Sequence, residues 1–181
     1  MILAQAVLLV IDMQKGSFTS ATPRYDTEGV VDRINTIAAC LRTAGRPVFY
    51  IQHDGSQQND FLPGSFDWEI LDGLTVREED LRIAKTANDC FYQSSLAQRL
   101  KKTGSTHLLI TGCATDFCVT ATVQSALAKD YELTAISDAH TTADRAHLPA
   151  EKIIEHYNWI WQNMLPTKGS LRVISTSELL G

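Results

Sequence analysis

Short apolar runs recur along the chain, each ending on a polar or charged residue before a stretch of helical spacing begins. Gln5 to Ile11 is apolar almost without interruption, the pattern of a strand buried on both faces, and it stops at Asp12. The apolar opening, Met1 to Val10, has no basic flank and therefore reads as part of a first strand and not as a signal peptide. Met13 to Thr27, with Gly16, Ser17 and Pro23, reads as a loop. Gly29 to Ala44 places Val30, Ile34, Ile37, Ala38 and Leu41 on one helical face, and Gly45 suits the residue that closes such a helix. Pro47 to Ile51 predicts a second strand that delivers Gln52, His53 and Asp54 to its carboxyl end. Gly55 to Asp80 is long, polar and rich in turn signals, the profile of a functional loop.

Leu81 to Ala84 predicts a third strand leading to Lys85, and Ser94 to Lys102 a helix stopped by Gly104. His107 to Thr111 predicts a fourth strand stopped by Gly112, followed by a helix over Asp116 to Lys129 with Thr115 as its N-cap. Glu132 to Ile136 predicts a fifth strand ending in Ser137-Asp138. A helix over Pro149 to Asn163, a sixth strand over Leu171 to Ile174 and a terminal turn over Ser177 to Leu180 complete the chain. Strands alternating with helices predict a parallel sheet covered on both faces. Six strands are too few for an eight-fold barrel. The expected α/β fold is a three-layer α/β/α Rossmann-like sandwich with a six-stranded, mostly parallel sheet, built by a single domain over residues 1–181.

Composition narrows the function classes. The chain is 44% hydrophobic and 20% charged, as expected of a soluble globular protein. Its formal charge is −5 and its lysines and arginines form no basic block, which argues against a nucleic-acid or anionic-membrane surface. No apolar run approaches the ~18 residues of a membrane span. Cys40, Cys90, Cys113 and Cys118 show no C-x-x-C spacing, so no disulfide framework or zinc site is expected and a reducing, cytoplasmic setting is. No G-x-G-x-x-G follows a strand and no P-loop is present, which leaves a dinucleotide-dependent reaction without its motif.

In a reducing setting a well-placed cysteine is a candidate nucleophile. Cys118 falls in the first turn of the helix after the fourth strand. Unpaired N–H groups and the positive dipole end there lower a thiol's pKa and can hold an oxyanion, although a free cysteine also serves as a small buried residue. Parallel strands place the residues that follow them on one sheet edge, where open α/β sheets bind ligands. Asp12 and Lys85 share that edge. Alone, Asp12 reads equally well as a loop cap and Lys85 as a solvated surface residue. With Cys118 they form a complementary set: Asp12 to take the thiol proton and pass it to a leaving group, Lys85 to hold thiolate and carboxylate electrostatically.

Val10-Ile11-Asp12-Met13-Gln14, then Ile83-Ala84-Lys85 with Phe91 and Leu96 beyond it, and Thr111-Gly112-Cys113-Ala114-Thr115-Asp116-Phe117-Cys118-Val119 resemble the three signatures of the isochorismatase-like cysteine hydrolases. The similarity continues through Ala126, Tyr131, Ser137-Asp138-Ala139 and His156-Tyr157-Asn158, essentially the whole chain. The resemblance implies a triad of Asp12, Lys85 and Cys118, a cis peptide between Cys113 and Ala114, and an oxyanion hole from the backbone N–H groups of Ala114 and Cys118. It implies cleavage of a C–N bond in a small amide or ureido substrate through an acyl-enzyme, without a cofactor, in a homo-oligomer. The family also includes a vinyl-ether hydrolase that does not need the cysteine. That chemistry, and a non-catalytic binding protein on the same fold, stand as alternatives.

Relatives of the nicotinamidase type bind a metal through an Asp-x-His pair and a further histidine after the second strand. Here that region holds His53 as its one histidine, and no metal is expected. Many relatives place a stacking phenylalanine five residues after the first aspartate, where this chain has Ser17 with Phe18 next to it. The candidate substrate contacts are Gln14, Phe18, His53, Trp68, Phe91 and Phe117, in a pocket shaped by Ser17 to Arg24, Gly55 to Trp68 and His140 to Asp144. Trp159 and Trp161, two apart on one helix, cannot share a face, so one is expected in the core and the other at a subunit contact.

Overall fold

Six strands form one sheet in a computed structural model that describes residues 2–166 and 168–181. The strands are β1 (Ala6–Ile11), β2 (Val48–His53), β3 (Leu81–Lys85), β4 (His107–Cys113), β5 (Glu132–Thr141) and β6 (Leu171–Ile174). Their order across the sheet is β3-β2-β1-β4-β5-β6, and every adjacent pair is parallel. The order reverses between β1 and β4, which makes the crevice above their carboxyl ends the switch point of a doubly wound sheet.

Alternate residues of the central strands feed two different cores. Val7, Leu9 and Ile11 pack with α2 (Leu96–Thr103), α3 (Thr120–Leu127) and α4 (Ala150–Gln162) on one face. Ala6, Leu8 and Val10 pack on the other face with α1 (Thr27–Thr43), which Leu179 of α5 (Thr176–Leu180) also joins. Each such side chain removed from water contributes about 1.5–3 kcal/mol, so both faces of β1 select apolar residues and the run is continuous. Trp161 is fully buried while Trp159 is 61% exposed, the split that their spacing requires. Among the described residues no helix is long and apolar enough to cross a membrane.

The structure differs from the sequence reading at several ends. Ile2–Gln5 forms a 3-10 turn, so the first strand starts at Ala6, and Met1 lies outside the described residues. The terminal turn is a short helix, begun by a capping box in which the Ser175 hydroxyl accepts from the Glu178 N–H and the Glu178 carboxylate accepts from the Ser175 N–H.

Gly112 does not end β4, which runs on to Cys113. Gly112 has φ +117°, and a Cβ placed on it would lie 2.1 Å from the Ile11 carbonyl oxygen. The glycine is needed because the β1 backbone passes directly against it. Gly112→Ala is accordingly expected to destabilise the fold by on the order of 4 kcal/mol, read as a lowered urea midpoint.

β5 extends to Thr141, well past Ile136. Its ladder slips opposite Thr111, so that Ile110 pairs with Ala135 but Gly112 with His140. The polar break at Ser137-Asp138 is absorbed there. The Asp138 carbonyl accepts from Arg33 Nε, and its carboxylate accepts from the Thr176 N–H and hydroxyl. These partners are remote in sequence, which hides the continuation of the strand from any local pattern.

Candidate active site

Asp12 and the Cys118 turn leave adjacent strands at the switch point, where Ile11 pairs with Gly112. Asp12 has φ +47°, and its N–H donates to the Ile51 carbonyl at 2.9 Å. Lys85 is the last residue of β3 and is buried, at 2% exposure. Its Nζ lies 2.6 Å from Asp12 Oδ2 and 3.4 Å from Cys118 Sγ, and it donates to the Ala87 carbonyl at 2.9 Å. Burial pulls the Lys85 pKa down, but the Asp12 carboxylate with the Cys90 and Cys118 thiols outweighs it, so the net shift is upward and the side chain stays an ammonium. The Asp12–Lys85 contact is an ion pair off the hydrogen-bonding direction. Neither Asp12 oxygen receives a well-formed hydrogen bond from the described residues, although Oδ2 lies against the Lys85 ammonium.

Cys118 does not sit as a standing thiolate. Burial, and next the Asp12 charge, raise its pKa against the opposing pull of Lys85. The placement at a helix start pointed to a lowered pKa, whereas desolvation and the neighbouring carboxylate push upward. Cys90 and Cys113 are buried as well, and burial pushes each up to about 12.

The turn that carries the thiol is fixed from behind. The Cys113–Ala114 peptide is cis, and Thr115–Val119 makes one π turn before α3 begins. Thr115 does not cap the helix. Its hydroxyl lies 2.8 Å from His140 Nδ1, whose other nitrogen, Nε2, lies 3.0 Å from Asn158 Oδ1, while Asn158 Nδ2 donates to the Ser137 carbonyl. This chain assigns the Nε2–H tautomer to His140, with Thr115 donating to Nδ1. Asp116 is held by the Thr142 hydroxyl and by Arg145.

His140 thus sits behind the turn and does not line the pocket. Burial drives its pKa down to about 4. A depressed folded pKa stabilises above the unfolded value of about 6.5, and that contribution is lost as pH falls towards 4. His140→Gln should therefore flatten the stability profile, removing up to about 3 kcal/mol of acid-side slope in urea titrations at pH 7, 5.5 and 4.

A cavity of about 190 Å³ opens above the triad. It is lined by Asp12, Cys118, Cys113 and Ala114, and by Ser17, Arg24, His53, Phe61, Asn88 and Phe117. A larger depression of about 950 Å³ lies along the outer face of α4 and includes none of the triad. Among the described residues no group of three or more His, Cys, Asp and Glu converges as metal ligands would.

A family model for the isochorismatase domain matches residues 6–159. The chain belongs to the isochorismatase family. A streptothricin hydrolase of Streptomyces noursei is 31% identical over 137 residues, 76% of this chain and 50% of that protein, so the chain spans half of that relative's length. The ureidoacrylate amidohydrolase RutB of Klebsiella pneumoniae is 26% identical over 172 residues, covering 75% of this chain and 72% of that protein. A solved structure described as an isochorismatase family protein superposes with a TM-score of 0.87 at 30% identity, over 94% of this chain and 98% of that one.

In this member of the isochorismatase family the residues singled out as substrate contacts divide sharply. His53 and Phe117 line the cavity. Burial and then Lys85 lower the His53 pKa, so its ring is neutral at neutral pH. Gln14 is fully buried, its amide donating to the His53 and Trp68 carbonyls and accepting from the His53 N–H; it braces the site without facing it. Phe18 packs against the α1-side core, and Phe91 is buried on Tyr131. Trp68 lines a separate cavity with Gln52 and Leu71.

Phe61 also lies in the cavity, edge-on to His53 with centroids 6.1 Å apart. It belongs to the Gly55–Trp68 loop, and Arg24 to the Ser17–Arg24 loop, both expected to shape the pocket, but no spacing singled out either residue. Asn88, whose Oδ1 lies 3.5 Å from Cys118 Sγ, follows β3 in a stretch that carried no signal.

Proposed function

We propose that this hydrolase uses Cys118 to cleave a C–N bond in a small amide or ureido compound through an acyl-enzyme. The observation that carries the reading is the single buried ammonium of Lys85, in contact at once with the Asp12 carboxylate at 2.6 Å and the Cys118 sulfur at 3.4 Å. A resting thiol needs a base, and Asp12 is the carboxylate beside it. As Sγ attacks the carbonyl carbon, Asp12 takes the thiol proton, while Lys85 offsets the negative charge shared by sulfur and carboxylate. The N–H groups of Ala114 and Cys118 are assigned to the oxyanion. Asp12 returns its proton to the leaving nitrogen, and a thioester remains on Cys118. Water, deprotonated by Asp12, then releases the acid and restores the thiol.

The ureidoacrylate amidohydrolase among the relatives carries amide-type chemistry in its name, and that supports this reading. The volume of about 190 Å³ lies below the 300–1,000 Å³ usual for drug-sized ligands and supports a small substrate.

The test is intact-mass spectrometry after acid quench during turnover of a panel of primary amides and N-carbamoyl compounds. The expected result is an adduct on Cys118 equal to the substrate less the ammonia or amine released. Vinyl-ether hydrolysis that proceeds equally well in Cys118→Ala, with no amide turned over, would replace this reading with the other family chemistry.

A further inference from the structure

We propose that the substrate of this site carries a carboxylate close to its scissile bond, and that Arg24 binds that carboxylate. The inference rests on the amide-cleaving reading of Cys118 and adds the substrate's charge. Arg24 is half-buried in the wall of the Cys118 cavity. Its Nε donates to the Ser17 carbonyl at 2.7 Å, and among the described residues its guanidinium makes no other hydrogen bond or ion pair. A guanidinium has five donors, so the terminal fork is left with its donors unused. The other cations nearby are committed: Lys85 to Asp12, Arg145 to Asp116, and Arg33 to Asp26.

The fork is also held in place before any ligand arrives. Arg24 forms an antiparallel bridge with Ala143, and the next residue, Tyr25, donates its N–H to the Thr142 carbonyl. With backbone and Nε both tied, little side-chain freedom remains to be lost when a planar anion docks on the two terminal nitrogens.

Charge points the same way. Asp12 and Lys85 neutralise each other, and the remaining lining side chains carry no formal charge, His53 being neutral. The cavity therefore holds one uncompensated positive charge, which an anionic substrate balances and a cationic one opposes. Phe61 and Phe117 supply apolar wall. A short carboxylic acid bearing an amide or ureido group meets all of these features.

Two alkylating reagents that differ in this charge provide the test. Iodoacetate and iodoacetamide each alkylate sulfur through their methylene carbon, the S–C bond forming as iodide leaves, to give a carboxymethyl or a carbamoylmethyl thioether; peptide mass mapping of the full chain at alkaline pH follows Cys118 separately from Cys40. The iodoacetate-to-iodoacetamide rate ratio at Cys118 is expected to exceed that at Cys40 by about tenfold, and to fall to the Cys40 value in Arg24→Gln. Arg24→Lys, which keeps the charge without the fork, should restore part of the ratio, which a merely structural loss would not do. A ratio unmoved by Arg24→Gln overturns the anion site.

If Cys118 takes neither reagent, its raised pKa keeps the thiol out of reach of both, and the nucleophile reading is decided by the acyl adduct and by Cys118→Ala. The anion site is then judged by ligand-observed NMR of succinamate against succinamide. A preference for the acid that disappears in Arg24→Gln sustains it, and equal binding overturns it.

Discussion

Cys118→Ala is expected to lower kcat/KM on amide substrates by at least about 10³-fold, with the fold intact. The substitution removes the atom that would carry the acyl group, and no other thiol can take over. Cys90 is fully buried, and Cys113 lines the cavity but is itself buried and strongly protonated. The cost to stability should be small, because the alanine leaves the Lys85 ammonium with both its Asp12 and Ala87 partners. Circular dichroism and urea midpoints within about 1 kcal/mol of wild type, alongside the lost turnover, would separate chemistry from folding. Full amide hydrolysis in this variant would sink the nucleophile assignment.

Lys85→Met should be costly in both respects. Asp12 is 5% exposed and, among the described residues, pairs with no cation but Lys85, so removing the ammonium strands a buried carboxylate, at about 3–5 kcal/mol. Turnover should fall as well, by about 10²–10⁴-fold, since the thiol proton would move to Asp12 without the charge that steadies the result. The double variant Asp12→Asn/Lys85→Met removes both charges. It should recover most of the stability and none of the activity, an outcome that distinguishes a catalytic pair from a structural one.

The pH dependence follows from the raised Lys85 pKa. Stabilisation by the ion pair is fully present below the unfolded lysine value of about 10.5 and is lost only as pH rises through the higher folded value. The stability gap between wild type and Lys85→Met should therefore be level across neutral pH and close only in strong alkali. A gap that closes between pH 7 and 9 would contradict the ion-pair account.

Much of this architecture is written in local pattern. An unbroken apolar run has one inexpensive home, the middle of a covered parallel sheet, and Ala6–Ile11 occupies it. Strand-helix alternation then directs strand ends to one edge, so Asp12, Lys85 and Cys118 come together whatever the details of the loops. The three signatures were sufficient for the family for the same reason: each combines a strand end with the residue it delivers.

Packing between distant segments settled the rest. Gln14, Phe18, Trp68 and Phe91 are as polar or aromatic as any pocket residue, and nothing in their spacing shows that they lie outside the cavity while Phe61 and Asn88 line it. β5 continues to Thr141 because Arg33 and Thr176 satisfy Asp138 from elsewhere in the chain. The protonation of Cys118 also reversed between pattern and structure. Its place at the start of a helix is a property of sequence, but desolvation and the Asp12 charge act through space and push the thiol pKa up. Periodicity is a local quantity and survives as a string of residues; loop direction, burial and electrostatic distance exist only once the chain has closed on itself.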